Sequence, residues 1–129
     1  MDEIQLTVRV VLALSTLLVI KHFVADFILQ TDKMVMEKGI YGAAGGLAHS
    51  AIHAVLTFLC LAWVDLPGAF VAAVFDFFVH YHVDWAKMNI NRKYGYTPKD
   101  HKFWFWLGVD QLAHYLTYML ILAWFCGAF

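Results

Sequence analysis

Residues 76–85 read Asp76-Phe77-Phe78-Val79-His80-Tyr81-His82-Val83-Asp84-Trp85. Three ionisable residues, Asp76, His80 and Asp84, recur at a spacing of four within an apolar, aromatic run. That spacing places them on one helical face, one turn apart. The stretch therefore predicts an apolar helix with a single polar stripe turned inward. His82 lies about 200° around the helix from His80, given 3.6 residues per turn, and reads as a packing or interfacial residue.

The same device occurs in three other apolar runs. They carry His22 and Asp26, His49 and His53, and Asp110 and His114. Five of the seven histidines thus have a histidine or aspartate four residues away; His82 and His101 do not. His101 falls in a loop and is expected to be solvated.

Composition sets the frame. The chain has 129 residues, 62% hydrophobic and 15% charged, with net charge −1. Mean hydropathy is +0.65 and the pI is near 6.6. Soluble domains average about 45–50% apolar and about 25% charged, so one integral membrane domain over 1–129 is expected. The balanced charge excludes a general nucleic-acid field. Two cysteines, Cys60 and Cys126, exclude a disulfide scaffold and a cysteine-based zinc module, and two free thiols are expected. The acidic start Met1-Asp2-Glu3 does not read as a cleavable signal.

A membrane-spanning helix needs about 20 mostly apolar residues. Four segments qualify, at about 4–29, 44–64, 67–88 and 102–129. The expected fold is all-α, a four-helix transmembrane bundle running up-down-up-down. Pro67 suits a first helical turn, and the short stretch Asp65-Leu66-Pro67-Gly68 predicts a tight hairpin between the second and third helices. Gly42, Gly45 and Gly46 predict a turn and close helix packing, since no strand precedes them to form a phosphate loop. The two longer polar loops share one side. That side holds Lys21, Lys33, Lys38, Lys87, Arg92, Lys93, Lys99 and Lys102, and only Arg9 lies toward the other. The positive-inside rule makes the lysine-rich side cytoplasmic and puts both termini outside. Tyr94, Tyr96, Trp104 and Trp106 fit its interface. Some of the basic residues are also candidates for binding a phosphorylated substrate at that surface.

Depth gives the polar pairs their meaning. In this topology the first and third helices carry them near the end, and the second and fourth near the start. All should meet in one layer of the cytoplasmic half. An ionised group at a bilayer centre costs at least about 2.5–3.5 kcal/mol, so the groups must face one another, water or a metal. One reading is a structural polar network. Interhelical hydrogen bonds in membranes average only about 0.6 kcal/mol, however. The metal reading assigns His22, Asp26, His49, His53, His80, Asp84, Asp110 and His114 as ligands. Imidazole and carboxylate donors suit zinc, iron or manganese. Their number suggests two divalent ions, zinc first among the candidates. Asp76, one turn deeper, is either a ligand or a partner that orients one. Asp76 and His114 are the candidates for acid–base work. Gln30, Thr31 and Asp32 either cap the first helix and turn into the loop or rim the site opening, a rim that Gln111 would join.

The runs His22-x3-Asp26-Phe27-x2-Gln30-Thr31-Asp32, His49-x3-His53, His80-x3-Asp84-Trp85 and Asp110-Gln111-x2-His114 resemble the domain-of-unknown-function family numbered 3307. These are small bacterial and phage membrane proteins. The resemblance covers nearly the whole chain and implies a multi-pass protein of the bacterial inner (cytoplasmic) membrane. It implies no activity. The pattern is also similar in style to membrane-bound metal-dependent hydrolases. The expected function is accordingly a membrane-embedded metal-dependent hydrolase, acting on a phosphoester or lipid-linked substrate at the cytoplasmic leaflet. A di-iron or haem redox protein, and a metal-binding or transport protein without catalysis, are the alternatives. The bilayer is the expected partner, a homo-oligomer is open, and no nucleic acid is expected.

Overall fold

The computed structural model describes residues 3–127. Met1-Asp2, and Ala128-Phe129 at the expected end of the fourth span, lie outside the described residues. The described chain is all-α. Its helices are α1 (Glu3–Phe23), a π-helical turn (Val24–Leu29), α2 (Asp32–Glu37), α3 (Ala44–Leu61), α4 (Leu66–Tyr94) and α5 (His101–Phe125). Helices α1, α3, α4 and α5 pack in a ring, the backbone of each lying against two of the others, with side chains meeting across the middle. The backbone of the π-turn packs on α3, and its Asp26 carboxylate reaches α5 through Gln111 Nε2 at 3.4 Å.

Burial is inverted relative to a soluble protein, where charged residues are almost never fully buried unless paired. Lys21, Lys38, five histidines and three aspartates are buried inside the ring, whereas Leu12, Leu59, Phe70 and Phe78 point outward and are exposed. An external groove of about 450 Å³ between α3 and α4, walled by Val55, Phe58, Phe70 and Phe77 among others, is apolar and touches none of the ionisable cluster. Such a surface suits acyl chains. The buried apolar core sits toward the α3–α4 turn. It comprises Leu14, Leu18, Leu61, Ala69, Ala72, Tyr118, Ile121 and Leu122. The polar layer occupies the other half, as the depth of the pairs predicts.

Among the described residues, three helices are long and apolar enough to cross a membrane: Thr7–Leu29, Ala44–Leu61 and Leu66–Tyr94. Of the four expected spans, the first three are among them and α5 is not. Helix α5 has the length, at 25 residues, or about 37 Å at 1.5 Å per residue. Asp110, Gln111 and His114, together with its tyrosines and tryptophans, dilute its hydropathy.

Local chemistry explains the boundaries. Asp65 caps α4, accepting the Gly68 N–H at 3.0 Å, with Pro67 in the first turn. The predicted hairpin is therefore present. Helix α4 runs six residues past its expected end at Met88. Asn89 ties this extension down by donating to the Gly39 carbonyl at 3.0 Å, and Gly95 ends it in the left-handed conformation at φ 67°. After that turn Asp100 accepts from the Thr97 N–H and hydroxyl at 2.8 and 2.9 Å. These bonds lower its pKa below the usual carboxylate range.

Helix α2 is the element the four-span reading left out. Thr31 caps it by accepting from the Met34 N–H. Its Glu37 carboxylate accepts the Gly45 N–H at 2.6 Å, capping α3. A Cβ on Gly45 would stand 3.0 Å from the Lys33 carbonyl, and one on Gly46 would stand 3.3 Å from Lys38 Cα. The two glycines are what lets α2 cross the start of α3 so closely. Gly42, at φ 78°, makes the turn between them.

Candidate metal centre

Helix geometry brings the predicted stripes together. Asp26 comes from the π-turn, His49 and His53 from α3, His80 and Asp84 from α4, and His114 from α5. Ligand-capable atoms of Asp26, His49, His53 and His80 all lie within 4.8 Å of one another, and so do those of His80, Asp84 and His114. His49, His53 and His80 are fully buried, at 0% exposure. The rings of His53, His80 and His114 stack in a column, with centroids 3.6 and 3.9 Å apart.

The donor atoms of the first group are close enough together to converge on one ion. Asp26 Oδ1 lies 2.9 Å from His53 Nε2 and 3.1 Å from His49 Nε2. His49 Nε2 lies 3.3 Å from His80 Nε2. Metal bonds of about 2.0–2.1 Å to nitrogen and oxygen place tetrahedral donors about 3.3–3.4 Å apart. The π-turn contributes here, because an i→i+5 bulge re-aims side chains within a helix and is common at functional sites. Gln30 Nε2 donates to the Asp26 carbonyl at 3.1 Å and holds the end of that turn.

In the second group, Asp84 Oδ1 faces His114 Nε2 at 3.3 Å. Asp84 Oδ2 lies 3.4 Å from both His49 Nε2 and His80 Nε2. Lys38 Nζ meets the same oxygen at 2.9 Å.

Three predicted site residues border these groups. His22 has both ring nitrogens engaged, Nδ1 with Tyr118 Oη at 2.8 Å and Nε2 with Gln111 Oε1 at 2.9 Å and Asp26 Oδ2 at 3.2 Å. Two oxygens that only accept make Nε2 the protonated nitrogen and the tyrosine hydroxyl the donor to Nδ1. His22 so arranged orients Asp26. Asp110 lies 3.6 Å from His114 Nε2 through Oδ1, while its Oδ2 accepts from Gln111 at 3.1 Å. Asp76 is held one turn away. Its Oδ2 accepts from Lys21 at 2.7 Å and from the Thr57 hydroxyl at 2.6 Å. Lys21 in turn reaches His53 Nδ1 at 3.3 Å. Asp76 therefore stands behind a cluster histidine, on the orienting side of the two roles open to it. His82 and His101 are exposed and outside the cluster.

Two lysines sit where sequence reasoning does not put them. The positive-inside count assigns Lys21 and Lys38 to the cytoplasmic surface, but both are buried in carboxylate pairs. Lys21 does carry a signal, since it lies well inside an apolar run beside His22. Lys38 carries none, because only the fold of α2 turns it inward.

The bundle and its centre define a class: an all-helical protein with lipid-like outer faces and a buried histidine–aspartate cluster able to hold a metal. The sequence model of a family described as protein of unknown function (DUF3307) matches residues 14–128, and the chain belongs to that family. No curated protein and no solved structure matches the chain.

Proposed function

We propose that this protein is a membrane-embedded metal-dependent hydrolase acting on a phosphoester or lipid-linked substrate at the cytoplasmic leaflet of a bacterial inner membrane. The observation that carries the reading is the convergence of ligand-capable atoms of Asp26, His49, His53 and His80 within 4.8 Å of one another, with Asp84 and His114 beside them. Zinc fits three imidazoles and one carboxylate best, with iron and manganese next. A purely structural network fits less well, because it would commit these six buried or half-buried ionisable groups to interhelical hydrogen bonds that average only about 0.6 kcal/mol in membranes.

A divalent ion held by Asp26, His49, His53 and His80 would supply Lewis acidity and bring the pKa of water toward neutrality. The protein's own groups would do the rest. His114, oriented by Asp84 Oδ1, is placed to take a proton from the attacking water. It would return that proton to the leaving oxygen as the phosphorus–oxygen ester bond breaks. Lys38 would hold a phosphoryl oxygen. Access would lie at the seam between the π-turn and α5, which is bridged among the hydrogen bonds of the described residues only by Gln111 Nε2 donating to Asp26 Oδ2 at 3.4 Å. Asp26 and Gln111 are part-exposed there. Helix α5 is the fourth span, and six of the basic residues remain on the α2 side once Lys21 and Lys38 are set aside, so that side is cytoplasmic. The test is phosphatase and phosphodiesterase activity of detergent-purified protein before and after metal stripping. Activity lost with the ion and restored by it supports the reading; activity indifferent to metal refutes hydrolysis at this centre.

The depth of the cluster favours one second reading, a redox di-iron centre. Such a site needs no passage for a bulky substrate, and four-helix bundles house these centres. Charge-transfer colour on anaerobic iron loading and air exposure would establish it.

A further inference from the structure

Two overlapping donor groups invite two ions. Three observations argue instead for one. First, His80 Nε2 meets both His49 Nε2 and Asp84 Oδ2. That nitrogen has a single lone pair, so an ion in the first group takes it. The second group then keeps only Asp84, His114 and the Asp110 carboxylate 3.6 Å from His114, a poorer three-donor set that an ion takes only where no other cation already stands. Second, the remaining position already has a cation. Lys38 Nζ lies 2.9 Å from Asp84 Oδ2, with side-chain exposures of 6% and 4% for the pair. Third, the charges balance. The layer holds Asp26, Asp76, Asp84 and Asp110 against the buried Lys21 and Lys38. One divalent ion makes that set neutral and two leave it doubly positive. Lys87, 3.9 Å from Asp110 and 15% exposed, sits at the rim where solvent screens it. Uncompensated charge in a buried layer is strongly unfavourable.

We infer that the centre holds one divalent ion, on Asp26, His49, His53 and His80, and that the Lys38 ammonium takes the place of a second. This rests on the metal reading above and refines it. A tethered ammonium beside one ion is a two-cation clamp for an anionic oxygen, and it leaves the Asp84–His114 pair free for proton transfer. Helix α2 exists, on this view, to deliver that charge: its Glu37 caps α3 and the glycine crossing at Gly45 and Gly46 fixes the position of Lys38.

The experiment is ion stoichiometry on full-length protein in detergent, by cobalt(II) titration and elemental analysis. Wild type should saturate at one ion per chain. Lys38→Met should saturate at two, and Lys38→Arg, which keeps the charge, at one. Two ions in wild type, or one in a folded Lys38→Met, overturns the proposal while leaving the metal reading intact. Zero ions in wild type overturns both. Should Lys38→Met not fold, Lys38→Gln replaces it, and the wild-type value decides alone if neither folds: one supports, two overturns.

Discussion

Lys21 shows how much a single side chain holds in this layer. Its ammonium joins Asp76, His53 and the face of Tyr118, 4.4 Å from the ring centroid. Removing one member of a buried ion pair leaves the other uncompensated, at about 3–5 kcal/mol. Lys21→Met should therefore lower the Tm sharply in detergent. Lys21→Met combined with Asp76→Asn should recover most of the loss, since Asn keeps a partner in Thr57. Equal melting of single and double variants would show that the pair is not the source. The histidines and aspartates at i, i+4 are legible from sequence because a helix converts that spacing into a shared face whatever its neighbours do. The roles of His22 and Asp76 are not legible. Ligand and orienting partner have the same residue types and differ only in contacts supplied by Tyr118, Gln111, Lys21 and Thr57, most of which come from elsewhere in the ring. For the six residues of the two groups, His53→Ala and Asp84→Ala are informative by contrast. His53→Ala should abolish retention of the ion through dialysis. Asp84→Ala should keep the ion but reduce turnover by about 10²–10⁴-fold, the usual contribution of general acid–base catalysis. Loss of metal in both alike would place Asp84 in the coordination shell.

Among the elements, α2 is the one hidden from sequence. Its six residues are too few to show a periodicity, and its seat depends on Gly45 and Gly46, which belong to a different helix. The π-turn is hidden too, because Val24–Leu29 is as apolar as the helix before it. The four long helices are readable, with ends that shift where a cap such as Gly95 decides them. Gly45→Val tests the crossing. Its branched side chain would meet the Lys33 carbonyl and Glu37, and overpacking of this kind costs about 1–3 kcal/mol. Helix α2 should lift, and trypsin should cut after Lys38, a site buried in the wild type. Unchanged protection at Lys38 would mean that α2 does not need the glycine contact.

At the scale of the molecule, the inverted burial pattern and the division into an apolar half and a polar half follow from composition and from the depth of the polar pairs. What composition does not fix is whether α5 crosses the bilayer, since the same Asp110 and His114 that build the centre lower its hydropathy. Thiol labelling in intact bacterial cells resolves this. In a Cys60→Ser background, Cys126 should react with an impermeant maleimide from outside. Lys99→Cys, in a chain lacking both native cysteines, should react only after permeabilisation. The same accessibility at both positions would contradict a spanning α5 and the proposed orientation.

The central claim is a nitrogen- and oxygen-ligated ion within the ring, and X-ray absorption at the metal edge of the purified protein tests it most directly. The expected spectrum has a first shell of nitrogen and oxygen at about 2.0–2.1 Å with the outer-shell pattern of several imidazoles. Protein that takes up no ion under saturating conditions, or an ion with sulfur at about 2.3 Å, would contradict it.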